Sequence, residues 1–202
     1  SGPRHLAFHP GKPWVYIANE LDSTVTACSF DAATGQLLPF QIVSGLADSY
    51  TGNSRNSEID VHPSGKTLYV SNRGEDTIGV FSIYSATGRI SLIQSMQCGG
   101  KTPRFFSLTP DGHFMHVLNE DSDSIVTLSV DAQSGMLSET GQSQSCGSPV
   151  CMVFRPQGLR SSSEGIAYTD PHITGRPRRI ESAVTQSVII DGSKWASHQR
   201  IA

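Results

Sequence analysis

The strongest constraint on this chain is that it carries one pattern three times. Residues 2–37 (GPRHLAFHPGKPWVYIANELDSTVTACSFDAATGQL), 56–92 (NSEIDVHPSGKTLYVSNRGEDTIGVFSIYSATGRISL) and 102–137 (TPRFFSLTPDGHFMHVLNEDSDSIVTLSVDAQSGML) share a fixed frame. A proline (Pro10, Pro63, Pro110) stands nine residues before an asparagine (Asn19, Asn72, Asn119), and a glycine (Gly35, Gly88, Gly135) sixteen residues after it. The copies lie 53 and then 47 residues apart. A period of that size is the mark of a repeat architecture.

Each copy divides into short segments of strand character. An apolar run (HLAF, FFSL) is closed by a proline-led turn, and the next run (WVYIA, LYVS, FMHVL) is β-branched and aromatic. The asparagine and an acidic turn lead to a third run (TVTACSF, TIGVFSI, SIVTLSV), in which period-2 alternation is clearest and Val25, Ile78 and Ile125 hold one place. A turn ending in Thr-Gly or Ser-Gly follows, glycine supplying the positive φ that a tight reversal needs. A fourth run (QLLPFQIV, RISLIQSM, MLSETGQS) ends the unit. Four antiparallel strands per unit of about 50 residues predict an all-β fold, a β-propeller. A β-sandwich could use strands of this length but would not explain the recurring frame. Helical repeats fail because no window keeps a 3.6-residue period.

A chain of 202 residues is one domain's worth. Blades are expected at about 1–43, 56–96 and 102–141, and 146–158 begins another, with Pro156 placed as the three frame prolines are. Three and a half blades are short of most rings, which close with roughly four to eight. Ser1-Gly2-Pro3-Arg4 enters a blade at its first strand, with nothing before it to lend a strand for closure, so part of a larger ring is expected. From residue 159 to 202 the frame is lost. That stretch is rich in Ser, Arg and Gly, and its composition suits a loosely ordered, divergent tail. Its one good strand candidate is 187–190, and 180–190 could dock as an edge strand.

The bulk properties exclude more than they specify. A net charge of -3, a pI near 6.1 and no basic stretch in the repeats argue against a nucleic-acid or anionic-membrane partner. No apolar run reaches the length of a spanning helix. The N-terminus has no apolar signal-peptide core, although an upstream segment could have carried one. Cys28 suits a buried thiol. Cys146 and Cys151, five apart, could meet across a bend, but free thiols of a reducing, cytoplasmic compartment are the simpler reading. No Cys, His and Asp spacing suits zinc or an EF-hand calcium loop, so no metal or cofactor is expected.

Chemistry should lie where first strands point into a central channel. Aligning copies by their prolines places Arg4, Ser57 and Arg104 in one column and His5, Glu58 and Phe105 in the next. A guanidinium's planar fork suits a carboxylate or phosphate. His5 could act as a general base with Glu58 as its orienting group or an acid. The bland alternatives are that Arg4 and Arg104 bond to carbonyls of neighbouring blades and that His5 is a packed histidine. His9 and His62, each before a turn proline, are turn or cap residues. His113 and His116 lie on opposite faces of a strand and do not suit a shared metal. The acids Glu20 and Asp22, Glu75 and Asp76, and Glu120 to Asp123 are expected as solvated inter-strand turns.

The motifs GPRHLAFHP, Ser57-Glu58-Ile59, LYVSNRGEDTIGVF, GGKTPRFFSLTPDG and VLNEDSDSIV, covering residues 1 to about 154, resemble the lactonase family of seven-bladed propellers. That family includes propeller-type 6-phosphogluconolactonase and carboxy-cis,cis-muconate cyclase. The resemblance implies a ring of seven blades of which this chain supplies the later half. It implies a channel-mouth site on Arg4 and His5 of PRH, Glu58 of SEI, Arg73 of SNRG and Arg104 of TPR. In Arg73's column the other copies carry Glu20 and Glu120. His5 and Glu58 would be catalytic, and Arg4, Arg73 and Arg104 would bind a small anionic lactone.

Two function classes remain open at this level. One is a lactonase on 6-phosphogluconolactone or a related sugar-acid lactone, or a cyclase running ring closure on a muconate. The other is an interaction platform without chemistry, because fold alone does not fix function. With blades missing, this chain by itself is expected to be inactive. A mouth at which Arg, His and Glu cluster favours chemistry; side chains dispersed over a flat face favour the platform.

Overall fold

The computed structural model of the protein describes residues 1–154 and 187–190. Three four-stranded antiparallel sheets follow one another along the chain. The first comprises β1 (Pro3–Phe8), β2 (Trp14–Asn19), β3 (Thr24–Asp31) and β4 (Gln36–Ser44). The second comprises β5 (Arg55–Val61), β6 (Thr67–Arg73), β7 (Thr77–Ile83) and β8 (Ile90–Gln97). The third comprises β9 (Pro103–Leu108), β10 (Phe114–Asn119), β11 (Ser124–Val130) and β12 (Leu137–Ser145), with a 3-10 turn at Glu120–Ser122. In every sheet the strands lie in sequence order. A fourth, two-stranded sheet pairs β13 (Cys151–Phe154) in parallel with β14 (Ser187–Ile190). The first strands β1, β5, β9 and β13 neighbour one another in succession, as in a propeller that has not closed. The expected turn at Pro156 and most of the expected tail lie outside the described residues.

The sheets are glued face to face by side chains that alternate along the strands. Ala7, Tyr16, Ala18, Val25 and Ala27 of the first blade meet Ile59, Val61, Leu68, Val70, Phe81, Ile83 and Ile90 of the second. Tyr69, Ile78 and Val80 of the second then meet Phe106, Leu108, Met115, Val117, Leu128, Val130 and Leu137 of the third. A smaller cluster of Leu118, Ile125 and Met152 begins the next seam. Small residues such as Ala18 and Ala27 share one buried cluster with large ones such as Phe81, and a mixture of sizes lets adjacent sheets pack without voids. All four cysteines are free. Cys28 is buried, as its strand position implies.

Polar contacts repeat across the seams in the same register. Tyr16 Oη donates to Gly88 O at 3.0 Å, and Tyr69 Oη donates to Gly135 O at 2.8 Å. Gln41 exchanges two bonds with the backbone of Ile90, both 2.9 Å, and Gln94 does the same with Leu137, both 2.8 Å. His9 and His62 are turn residues, each ring Nδ1 accepting a backbone N–H two residues on. They also cross the seam, Nε2 donating to Gly65 O at 3.0 Å and to Gly112 O at 3.1 Å. The frame asparagines work in the other direction. Asn72 Nδ2 holds Gly45 O at 2.8 Å and Asn119 Nδ2 holds Cys98 O at 3.1 Å, tying down the linker that leaves the preceding blade. Asn19 donates instead to Thr24 and Thr26.

Two of the frame glycines are needed for two reasons at once. Gly88 and Gly135 adopt φ of +70° and +73°, and a Cβ there would lie 2.5 Å from Trp14 and 2.1 Å from Thr67 of the preceding blade. Burial desolvates both seam phenols and pushes their pKa values upward, so each stays a donor. Tyr69→Phe leaves the Gly135 carbonyl buried without its donor and is expected to cost about 1–3 kcal/mol in urea unfolding. Tyr84→Phe, at a phenol that is 58% exposed, is expected to change stability little.

Candidate functional site

The side chains named from sequence sit where β1, β5 and β9 begin and where β2, β6 and β10 end. Antiparallel pairing brings those termini to one mouth. Each first strand has a register shift there: between Pro3 and His5, between Asn56 and Ile59, and opposite Leu118 and Asn119. Such bulges re-aim side chains. Arg4 and His5 can thus both be engaged at the mouth although they are adjacent on a strand.

Across the first seam, His5 Nδ1 and Glu58 Oε1 are 3.0 Å apart. Glu58 Oε1 also accepts the Ile59 N–H at 3.1 Å, while the Glu58 N–H donates to Ser71 Oγ at 2.9 Å. The carboxylate is only 13% exposed and the imidazole 41%. An oriented carboxylate thus holds one ring nitrogen of a histidine whose remainder stays open. Two residues further along β5, burial pushes the Asp60 carboxyl above the usual carboxylate range, with a smaller contribution from Glu58.

The arginines are tied by carboxylates. Arg73 Nη2 donates to Glu20 Oε1 and to Asn56 O, the latter at 3.3 Å. Arg4 Nη1 lies 3.7 Å from the other Glu20 oxygen. Arg104 Nη1 donates to Glu120 Oε2 at 3.2 Å, and its carbonyl accepts the Ser57 hydroxyl at 2.6 Å. The bland alternative, in which Arg4 and Arg104 side chains bond to carbonyls of neighbouring blades, is not what the geometry shows: both guanidiniums face carboxylates. The expectation of solvated turn acids is corrected at Glu20 and Glu120. Their column lies opposite the arginine column, so charge complementarity draws them in. Asp76 and Asp123 do cap backbone amides, of Thr102 at 2.9 Å and Ser148 at 2.7 Å.

Two further residues at the mouth join the named ones. Glu20 bridges Arg4 and Arg73, and the Arg73 hydrogen bond holds its carboxyl below the ordinary glutamate range. Arg55 begins β5 directly opposite Arg73 and contributes to the same depression. Leu21, Asn53, Ser54, Arg55 and Arg73 line an open cavity of about 460 Å3, Asn53 and Ser54 coming from the insertion that joins the first blade to the second after Ser44. The signal for Glu20 was available, since it occupies Arg73's column with opposite sign. Arg55 was hidden because the insertion falls outside the frame. Among the described residues, no three His, Cys, Asp or Glu side chains converge as metal ligands. No helix there is long and apolar enough to cross a membrane.

Four-stranded antiparallel sheets that follow one another along the chain, with their first strands side by side, define the β-propeller class. The profile described as "Lactonase, 7-bladed beta-propeller" matches residues 1–154, and the chain belongs to that family. It is 34% identical over 157 residues to the 6-phosphogluconolactonase of Bacillus subtilis, covering 78% of this chain and 45% of the relative. It is 37% identical over 145 residues to a protein of the same name from Formosa agariphila, covering 70% and 40%. Among solved structures, a Lactobacillus plantarum protein superposes with a TM-score of 0.71 at 34% identity, over 74% of this chain and 43% of that one. A periplasmic gluconolactonase of Pseudomonas aeruginosa gives 0.69 at 30%, over 73% and 41%. The chain spans less than half the length of these relatives.

The lowered Glu20 carboxyl makes a pH prediction. A group whose pKa is depressed by folding adds stability that is present above its unfolded pKa and is lost as pH falls through the folded one. Urea stability of the chain should therefore decline as pH falls below about 4.3, the unperturbed glutamate value. Glu20→Gln should flatten that decline, and an unchanged profile would show that the bridge is not formed in solution.

Proposed function

We propose that a ring containing this sequence hydrolyses an anionic sugar-acid lactone of the 6-phosphogluconolactone kind. The observation that carries the reading is the 3.0 Å pairing of His5 with Glu58 beside a guanidinium cluster. His5 Nε2 takes a proton from water as the oxygen adds to the lactone carbonyl. Glu58, on Nδ1, stabilises the imidazolium that forms, as a carboxylate orienting a histidine base does. The tetrahedral intermediate then collapses with cleavage of the bond between the carbonyl carbon and the ring oxygen. The leaving alkoxide recovers the proton from His5, and the product is the open hydroxy acid. Arg4, Arg73, Arg104 and the newly placed Arg55 hold the substrate's anionic groups. Glu20 and Glu120 keep the guanidiniums in place without cancelling all of their charge. The names carried by the Bacillus and Pseudomonas relatives support a lactone substrate.

In a complete ring, His5→Gln should lower kcat by about 10²–10⁴-fold with KM little changed, because proton transfer is lost only in the transition state. Arg73→Ala should lower kcat/KM for a phosphorylated lactone about 10- to 100-fold more than for its neutral counterpart. That is the size expected when a charge-assisted hydrogen bond of about 1.5–3 kcal/mol is removed. Steady-state kinetics on both lactones, with Tm as a control, check this. Equal losses on both substrates with a lowered Tm would make Arg73 structural.

A further inference from the structure

The linker between the first two blades is built differently from the others. Asp76 and Asp123 adopt φ of +57° and +49°, and their carboxylates take the N–H groups of Thr102 and Ser148 at 2.9 and 2.7 Å. That clamp leads the short linkers 98–102 and 146–150 straight into the next first strand. Ser23 holds the same place in the first blade, and its hydroxyl is buried with no partner among the described residues. Residues 45–54 loop out instead and are fastened to the second blade. The Ala47 N–H donates to Glu75 Oε1 and Ser54 Oγ to Arg73 O, both at 3.0 Å, while Tyr50 Oη braces the loop by donating to Asn53 O at 2.9 Å. The Asn53 backbone crosses Gly74, where φ is +109° and a Cβ would lie 2.3 Å from Asn53 O. The loop is thereby fixed as one wall of the cavity that Arg55 and Arg73 also line.

The cavity holds an excess of positive charge. Arg55 and Arg73 are directly opposite each other across β5 and β6. Like charges so placed destabilise a ladder unless something of opposite sign sits between them. Glu20 pairs with Arg73 and Arg4, and no carboxylate lines the cavity. The Arg55 side chain makes no hydrogen bond or ion pair among the described residues, so its planar fork is open. A phosphate monoester, with about −1.5 to −2 charges at pH 7, suits two guanidiniums better than a single carboxylate does. Arg55 stands three residues before Glu58 on the same strand. Three residues of strand span at most about 10 Å, less at the bulge between Asn56 and Ile59, so one six-carbon substrate can reach from His5 to Arg55.

We infer that the 45–54 loop and Arg55 form a separate phosphate subsite that makes the ring selective for phosphorylated over unphosphorylated sugar-acid lactones. The inference rests on the lactonase reading and assigns the two ends of the substrate: the carbonyl goes to His5 and Glu58, and the phosphate goes to Arg55 and Arg73 beside Asn53 and Ser54.

Binding of the hydrolysis products tests this without needing turnover. 6-Phosphogluconate and gluconate are titrated calorimetrically into a complete ring containing this sequence and into its Arg55→Gln and Arg55→Lys variants. Arg55→Gln should weaken 6-phosphogluconate by about 10- to 100-fold, the size of a hydrogen bond to a charged group, and gluconate far less. Arg55→Lys, which keeps the charge and loses the fork, should recover part of the loss. The Tm without ligand should not fall in Arg55→Gln, because a repulsion is removed and no partner is orphaned. Equal weakening of both ligands, unchanged 6-phosphogluconate affinity, or a loss accompanied by a lowered Tm would overturn the inference. A ring that binds as stated but opens no lactone would refute the hydrolytic reading and leave the subsite standing. A ring that opens both lactones with a preference indifferent to Arg55→Gln would do the reverse.

Discussion

Everything in this molecule depends on the contact between one blade and the next. A single four-stranded sheet has two faces and cannot bury either alone; stacking turns each face into core. The apolar layer supplies most of the attraction. The bonds from Tyr16, Tyr69, Gln41, Gln94, His9 and His62 supply the register. Each ends on a backbone group, so it fixes the rotation of one sheet on the other and leaves side chains elsewhere free to vary. Gly88 and Gly135 follow from this, because the preceding blade's side chain occupies the space where their Cβ would stand.

The candidate site is a product of that register. His5 and Glu58 are on different blades and come within 3.0 Å only because the first seam sets their strands side by side. Arg73 reaches Glu20 across the same seam. Within the third blade, by contrast, Arg104 and Glu120 pair locally. One column of positions has thus been used in two ways. Same-blade pairs close on themselves at Arg104 and Glu120. Exchange of sign at Arg73 makes the second blade lean on the first, and Arg55 beside the cavity makes no ion pair among the described residues.

The strands and their order were legible because strand, turn and glycine signals are local and recur. The role of the frame asparagine was not. Asn72 and Asn119 clamp Gly45 and Cys98, which lie in linkers of unequal length that an alignment by repeats leaves out. Five site positions were named from a motif resemblance and from columns, and the geometry links His5 with Glu58 across the first seam and Arg4 with Arg73 through Glu20. Glu20 went unseen as a bridge because an acidic residue in a turn looks solvated until its partner, 53 residues on, is folded against it. The β-bulges explain a further difficulty: simple alternation sends Arg4 and His5 to opposite faces, and the extra residue cancels it.

The central claim is that His5 and Glu58 work as one catalytic unit assembled across a seam. A double-mutant cycle in a complete ring containing this sequence tests it most directly, with kcat/KM for 6-phosphogluconolactone measured for His5→Gln, Glu58→Gln and both together. If the pair acts as a unit, the double variant is no slower than His5→Gln alone, because residues that share one function lose it once. Losses that multiply, or a ring indifferent to both changes, would contradict the account.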